Sequence, residues 1–161
     1  MREELKQRRG AAKIIDVDEQ RVKIVIFTLE GARYAFYGSD IREILPLTSI
    51  CYVPGAPDFI LGVINNRGDI ESVIAVEKFL DLPAVSEVKS GRIAIAEKEG
   101  IRSGIRVDSI EDVIDVPASS IKPPLSTLDG SRRDMVAGEV QYEGDSIVLL
   151  DVGKIFGKIS A

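Results

Sequence analysis

One pattern recurs along this chain of 161 residues, and it recurs in phase. Val22 to Leu29 is rich in β-branched residues and ends at Glu30-Gly31, after which Arg33 to Tyr37 resumes the pattern. Arg92 to Ala96 runs to Glu99-Gly100 and on into Ile101 to Val107. Gly62 to Asn65 turns at Arg67-Gly68 into Asp69 to Ile74, and Ala137 to Tyr142 turns at Glu143-Gly144 into Ser146 to Leu150. β-Branched runs favour strands, and glycine supplies the positive φ that a tight hairpin turn needs. A shift of 69 residues lays Ile24-Val25-Ile26 on Ile93-Ala94-Ile95, and Ile41, Glu43, Ile44 and Leu45 on Ile110, Asp112, Val113 and Ile114. A shift of 76 lays Gly62 on Gly138, Gly68-Asp69 on Gly144-Asp145, Val76 on Val152 and Lys78 on Lys154. Two in-phase blocks predict two copies of one unit, about 22–82 and about 92–158, behind a flexible tail over 1–20. Four or five strands per copy suffice to close a small barrel, which removes exposed sheet edges. The expected fold is all-β: two tandem small five-stranded barrels, SH3-like or OB-like, with short helices.

Each copy ends on a helical spacing. Val76, Phe79 and Leu80, and likewise Val152, Ile155 and Phe156, fall at i, i+3, i+4, so a short helix is expected to plug each barrel. Turn formers and charges place linkers at 81–91 and 126–135.

The residue types present exclude much chemistry. The chain has no His, so catalytic triads, His-ligated metals and imidazole proton shuttles are out. Cys51 is the single cysteine, which leaves no internal disulfide and no Cys-x-x-Cys redox pair. No Gly-x-x-x-x-Gly-Lys-Ser/Thr loop exists to cradle a phosphate. Asp108, Glu111, Asp112 and Asp115 lack the spacing of a calcium loop and read as a solvated strand edge or an acidic docking face. Aromatic content is 6% without Trp and the formal charge is −5, a poor match for a nucleic-acid-binding barrel. Arg67-Gly68-Asp69 spells the cell-adhesion tripeptide, read here as coincidence. The first ten residues lack the apolar core of a secretory signal, and no apolar run reaches transmembrane length. A cytoplasmic protein without catalytic, metal or cofactor site is expected, whose product is contact.

Residues Val53 to Ile70, Val-Pro-Gly-Ala-Pro-Asp-Phe-Ile-Leu-Gly-Val-Ile-Asn-Asn-Arg-Gly-Asp-Ile, resemble the signature stretch of the CheW chemotaxis adaptors, centred on Asn-Leu-Arg-Gly. Asp40 to Leu45, Val107 to Val113, Ile121 to Pro124 and Leu149 to Val152 also fit, so the resemblance spans about Val22 to Phe156. It implies two five-stranded barrels around a shared core over 21–161. It also implies a non-enzymatic scaffold joining the cytoplasmic tips of chemoreceptors to the regulatory domain of a CheA-type histidine kinase. Such an adaptor works beside receptor arrays at the inner membrane, without membrane insertion or nucleic-acid contact. The chain lacks a kinase module and Met1 lies near the start of the match, so a free-standing adaptor is expected over a fragment of the kinase.

By the same resemblance, Ile41, Glu43 and Ile44 match the edge that meets the kinase. Ile41, Ile44 and Leu45 also show helical spacing, and Asp40-x-x-Glu43 reads equally as a helix-capping pair. Asn65, Arg67 and Gly68 match the motif that couples receptor and kinase, with Arg67 as its working side chain. Ile93, Val107 and Val113 match positions near the receptor groove, with core packing the competing reading. Gly62 matches a structural glycine. The chain departs from the family at three places: Asn66 stands where Leu is usual, Ser72 where Pro is usual, and Ala75 where an Asp precedes the short helix. The copy at Asp151 keeps that Asp. Two other classes remain open: an adaptor of a divergent chemosensory-like pathway, controlling surface motility or gene expression, and a small-ligand-binding barrel.

Overall fold

The computed structural model describes residues 19–83, 88–124 and 130–160. Its strands are β1 (Arg21–Leu29), β2 (Ala32–Tyr37), β3 (Ile41–Pro46), β4 (Ile60–Asn66), β5 (Asp69–Ile74), β6 (Arg92–Lys98), β7 (Ile101–Val107), β8 (Ser109–Pro117), β9 (Val136–Tyr142) and β10 (Asp145–Leu150). A one-turn helix α1 (Gly130–Arg133) precedes β9, and α2 (Val152–Ile159) closes the described chain. The tail expected over 1–20 lies outside the described residues except for Glu19 and Gln20. Residues 84–87 and 125–129, within or beside the two expected linkers, lie outside them too, and α1 occupies part of the second linker.

All four expected hairpins form, and their turns share one geometry. Glu30 and Gly31, Arg67 and Gly68, Glu99 and Gly100, and Glu143 and Gly144 all take positive φ. Paired left-handed residues of this kind match the right-handed twist of the flanking strands.

The strands are shared out differently from the expectation of one barrel per copy. One sheet runs β8-β1-β2-β10-β9 and the other β3-β6-β7-β5-β4. Each sheet therefore takes the first hairpin of one copy and the last three strands of the other. The joints are two short parallel pairings, Tyr34 to Phe36 against Val148 to Leu150, and Val73-Ile74 against Gly104-Ile105. The assignment of 22–82 and 92–158 to separate barrels is thus corrected. Local alternation sets which face a strand buries but not which strand it pairs with.

Closure follows from the chain beyond each edge strand. Past β3, Cys51 pairs with Val63 of β4, its N–H donating at 2.8 Å and its carbonyl accepting at 2.9 Å. Past β8, Lys122 pairs with Glu139 of β9 through two bonds of 2.8 Å. Gly62 and Gly138, equivalent by the repeat, sit against these closures. A Cβ on Gly138 would stand 2.5 Å from the Lys122 carbonyl oxygen, and one on Gly62 would collide with the Cys51 carbonyl, at φ +150°.

Three apolar cores result among the described residues. Ile24, Ile26, Ala35, Ile147 and Leu149 fill one barrel, and Ile64, Val73, Ile93 and Ile95 the other. The largest lies between the sheets, where Phe27 and Phe36 stack at 4.3 Å beside Ile74, Ala94, Ile105, Leu150 and Phe156. The two end segments differ for one local reason. Asp151 caps α2 by accepting from the Lys154 N–H at 3.0 Å, whereas Ala75 offers no side-chain acceptor and Val76–Phe79 forms only a 3-10 turn. The expected helix in the first copy is corrected accordingly.

Gly62→Ala should lower stability by about 2 kcal/mol or more, since it adds both backbone strain and a clash at the closure. Gly144→Ala, at φ +82° with open space around it, should lose only about 1 kcal/mol. Thermal melts of the two variants check the difference.

Candidate functional site

The β4–β5 hairpin is built to hold Arg67 out. Both central residues are left-handed, Arg67 at φ 55° and Gly68 at φ 92°, and the Asn65 Oδ1 accepts the Gly68 N–H at 2.8 Å. That bond fixes the turn from within. The Arg67 side chain is 76% exposed.

β3 is the other edge strand of the same sheet, brought near β4 by the barrel closure, and its residues alternate between two faces. Ile41, Glu43 and Leu45 are half-buried, while Arg42, Ile44 and Pro46 are exposed. The helical stripe at Asp40 to Leu45, and the helix-capping pair with it, are therefore corrected. Only Gly38–Asp40 makes a 3-10 turn, and strand begins at Ile41. Asp40 is buried and accepts from the Lys98 Nζ at 3.2 Å. Pairing with β6, which supplies Ala96, Ile95 and Ala94 opposite Ile41, Glu43 and Ile44, decided the outcome.

Glu43 joins the strand to the hairpin. Its Oε1 accepts from the buried Asn66 Nδ2 at 2.6 Å, and its Oε2 from the Arg67 Nη2 at 2.5 Å. The Asn66 bond first, then Arg67, holds the Glu43 carboxyl below the usual carboxylate range. Around this clamp the charges alternate: Arg102 donates to Glu71 at 2.8 Å and lies 3.5 Å from Glu97, which also meets Arg42 at 3.4 Å. The exposed pairs made by Glu97 contribute little to stability and orient more than they stabilise, whereas Glu71 is itself buried. Glu43 thus joins the expected kinase edge to the expected coupling hairpin, while Ile44, 37% exposed, points to the opposite face of β3, and Ile70 of the hairpin is 66% exposed.

The three groove candidates separate. Ile93 packs inside one barrel and Val107 in the core between the sheets; both are fully buried and present no surface to a partner. Val113 is 46% exposed on β8, where the repeat makes it the counterpart of Ile44. Ile41 packs against the central core rather than standing free.

The acids of β8 and Asp108 just before it are absorbed by neighbours. Glu111 accepts from Arg33 at 2.9 Å, Asp115 lies 3.5 Å from Lys23, and Asp112 accepts the Tyr142 hydroxyl at 2.7 Å. That last bond pushes the Tyr142 hydroxyl up to about 12. Asp108 accepts from the Arg106 Nη1 at 2.5 Å and from the Glu30 N–H at 2.8 Å. Arg106, itself buried, also donates to the Ser90 carbonyl and lies 3.5 Å from the buried Glu77, whose carboxyl burial pushes up. This polar seam ties the segment before β6 to the β1–β2 turn. Sequence reasoning missed it, because alternation along β7 puts Arg106 on the face of Arg102, opposite the core residues Ile105 and Val107. Among the described residues, no cluster of acids and cysteine stands close enough to hold a metal ion, and no helix is long and apolar enough to cross a membrane.

Two interlocked barrels with an outward arginine hairpin next to an apolar strand edge define a binding module. Residues 23–160 match the CheW-like domain model, and the chain belongs to the CheW-like family of chemotaxis adaptors. It is 30% identical to the chemotaxis protein CheW of Bacillus subtilis over 86% of this chain and 89% of that one. It is 28% identical to CheW of Rhizobium meliloti over 83% and 86%. The crystal structure of the scaffolding protein TtCheW from Thermoanaerobacter tengcongensis superimposes with a TM-score of 0.72 at 31% identity, over 86% of this chain and 89% of that one.

Two substitutions separate surface from core. Arg67→Ala should leave unfolding within about 0.5 kcal/mol of the parent. Ile93→Ala should lose about 3 kcal/mol through the cavity it leaves. Urea titrations followed by far-UV circular dichroism measure both.

Proposed function

We propose that this chain is a non-catalytic adaptor that couples the cytoplasmic tips of chemoreceptors to the regulatory domain of a CheA-type histidine kinase. The family match over 23–160 supports the adaptor role. The observation that carries the coupling is the Glu43 clamp, because it links the strand edge at Ile44 to the hairpin of Asn65, Arg67 and Gly68. Ile44 and Glu43 meet the kinase, with Ile41 supporting them from the core side. The hairpin passes receptor state to β3 through Glu43, and Val113 lies on the receptor side. The protein acts in the cytoplasm without inserting into the membrane, binding nucleic acid or carrying a cofactor.

An exposed apolar anchor at a docking edge typically accounts for about 2 kcal/mol or more of binding, or roughly 30-fold in affinity. Mixed with its cognate kinase and a receptor fragment, the chain should co-elute as a ternary assembly and change the kinase's rate. Ile44→Asp should lose the kinase and retain the receptor, at a nearly unchanged melting temperature. Loss of both partners together with a large drop in melting temperature would place Ile44 in the core and overturn the assignment. Failure of the parent chain to co-elute with either partner would overturn the adaptor role.

A further inference from the structure

We propose that Asn66 is a positioning residue for the docking surface: its amide holds Glu43 so that Arg67 stands in one fixed orientation. The inference rests on the adaptor reading for its consequence in binding, but the clamp itself is a property of the chain alone.

The geometry leaves Glu43 little freedom. A carboxylate takes donors at both oxygens, and here each oxygen receives one, from adjacent residues of the same hairpin. Asn66 donates at 2.6 Å to Oε1 and holds the carboxylate turned so that Arg67 engages Oε2 alone rather than both oxygens in the bidentate fork. The rest of its guanidinium donors stay free of Glu43, on a side chain that is 76% exposed. Arg102, 3.9 Å from Oε1, is committed to Glu71 at 2.8 Å and adds no close bond there. Asn66 is itself buried, which restricts its amide to few rotamers and makes the anchor stiff. An apolar residue at 66, such as the usual Leu, has no donor for Oε1. Glu43 and Arg67 would then be free to form the bidentate pair, turning donors inward that now face a partner. Position 66 thereby sets whether the hairpin presents Arg67 to a partner or closes it onto Glu43 of β3.

The clamp weakens as pH falls, because a carboxyl whose folded-state value is depressed keeps its partners above that value and loses them on protonation. Removing the Asn66 bond raises the Glu43 value toward the ordinary carboxylate range and brings that loss to higher pH. The test uses the full chain and its Asn66→Leu, Glu43→Ala and doubly substituted forms, with Asn66→Ala as the replacement if Asn66→Leu melts early. Carboxyl 13C NMR titration follows Glu43, and calorimetry measures affinity for the cognate kinase regulatory domain. In Asn66→Leu the Glu43 midpoint should rise and kinase affinity should fall on the order of fivefold, the net scale of one ordinary hydrogen bond because Asn66 acts on the partner only through Glu43. In the Glu43→Ala background the same substitution should change affinity by less than about twofold. An unmoved Glu43 midpoint, or equal affinity losses in the two backgrounds, would overturn the proposal. A parent chain that binds no kinase would contradict the adaptor reading, while the titration would still decide the clamp.

Discussion

Two short parallel pairings, Tyr34 to Phe36 with Val148 to Leu150 and Val73-Ile74 with Gly104-Ile105, carry the exchange of hairpins on which everything else in this protein depends. Without them neither sheet has five strands. They also place Phe27, Phe36 and Leu150 of one sheet against Ile74, Ala94 and Ile105 of the other, making the central core a joint product of both copies. A parallel pairing brings together residues far apart in sequence, so its loop-closure entropy must be offset by burial. The fully buried Phe27, Phe36 and Phe156 supply that burial.

The charged face around Glu43 inherits the exchange. Glu43, Asn66, Arg67 and Glu71 come from the first copy, whereas Arg102 and Glu97 come from the hairpin donated by the second. The band of alternating charge across this face exists because β6 lies beside β3 and β7 beside β5. The polar seam at Arg106 ties Ser90, Glu77 and Asp108 at the junction where the chain leaves one sheet and enters the other.

The hairpins and the repeat were legible because their physics is local. A left-handed pair ending in glycine marks a turn whatever lies around it, and the in-phase shifts follow from counting. Partner choice was not legible, since exchanged and unexchanged barrels present the same alternation along every strand. At Asp40 to Leu45, apolar residues at 41, 44 and 45 fit a helical face and a strand about equally, and only the pairing with β6 separates them. Resemblance marked Ile93 and Val107 as groove residues, but position in a family pattern carries no information on burial. The departures at Asn66, Ser72 and Ala75 were visible, and each has a physical consequence. Asn66 gains Glu43, Ser72 pairs its hydroxyl with that of Ser103 at 2.8 Å, and Ala75 leaves its turn uncapped.

The exchange itself is most directly tested by separating the copies. Residues 1–83 and 88–161, expressed as individual chains, should each lack a cooperative melt, because each contains three strands of one sheet and two of the other. Mixed at equal concentration, they should recover the circular dichroism spectrum and a single unfolding transition. Cooperative unfolding of either piece alone would contradict the account, because it would show that a copy can complete its own barrel.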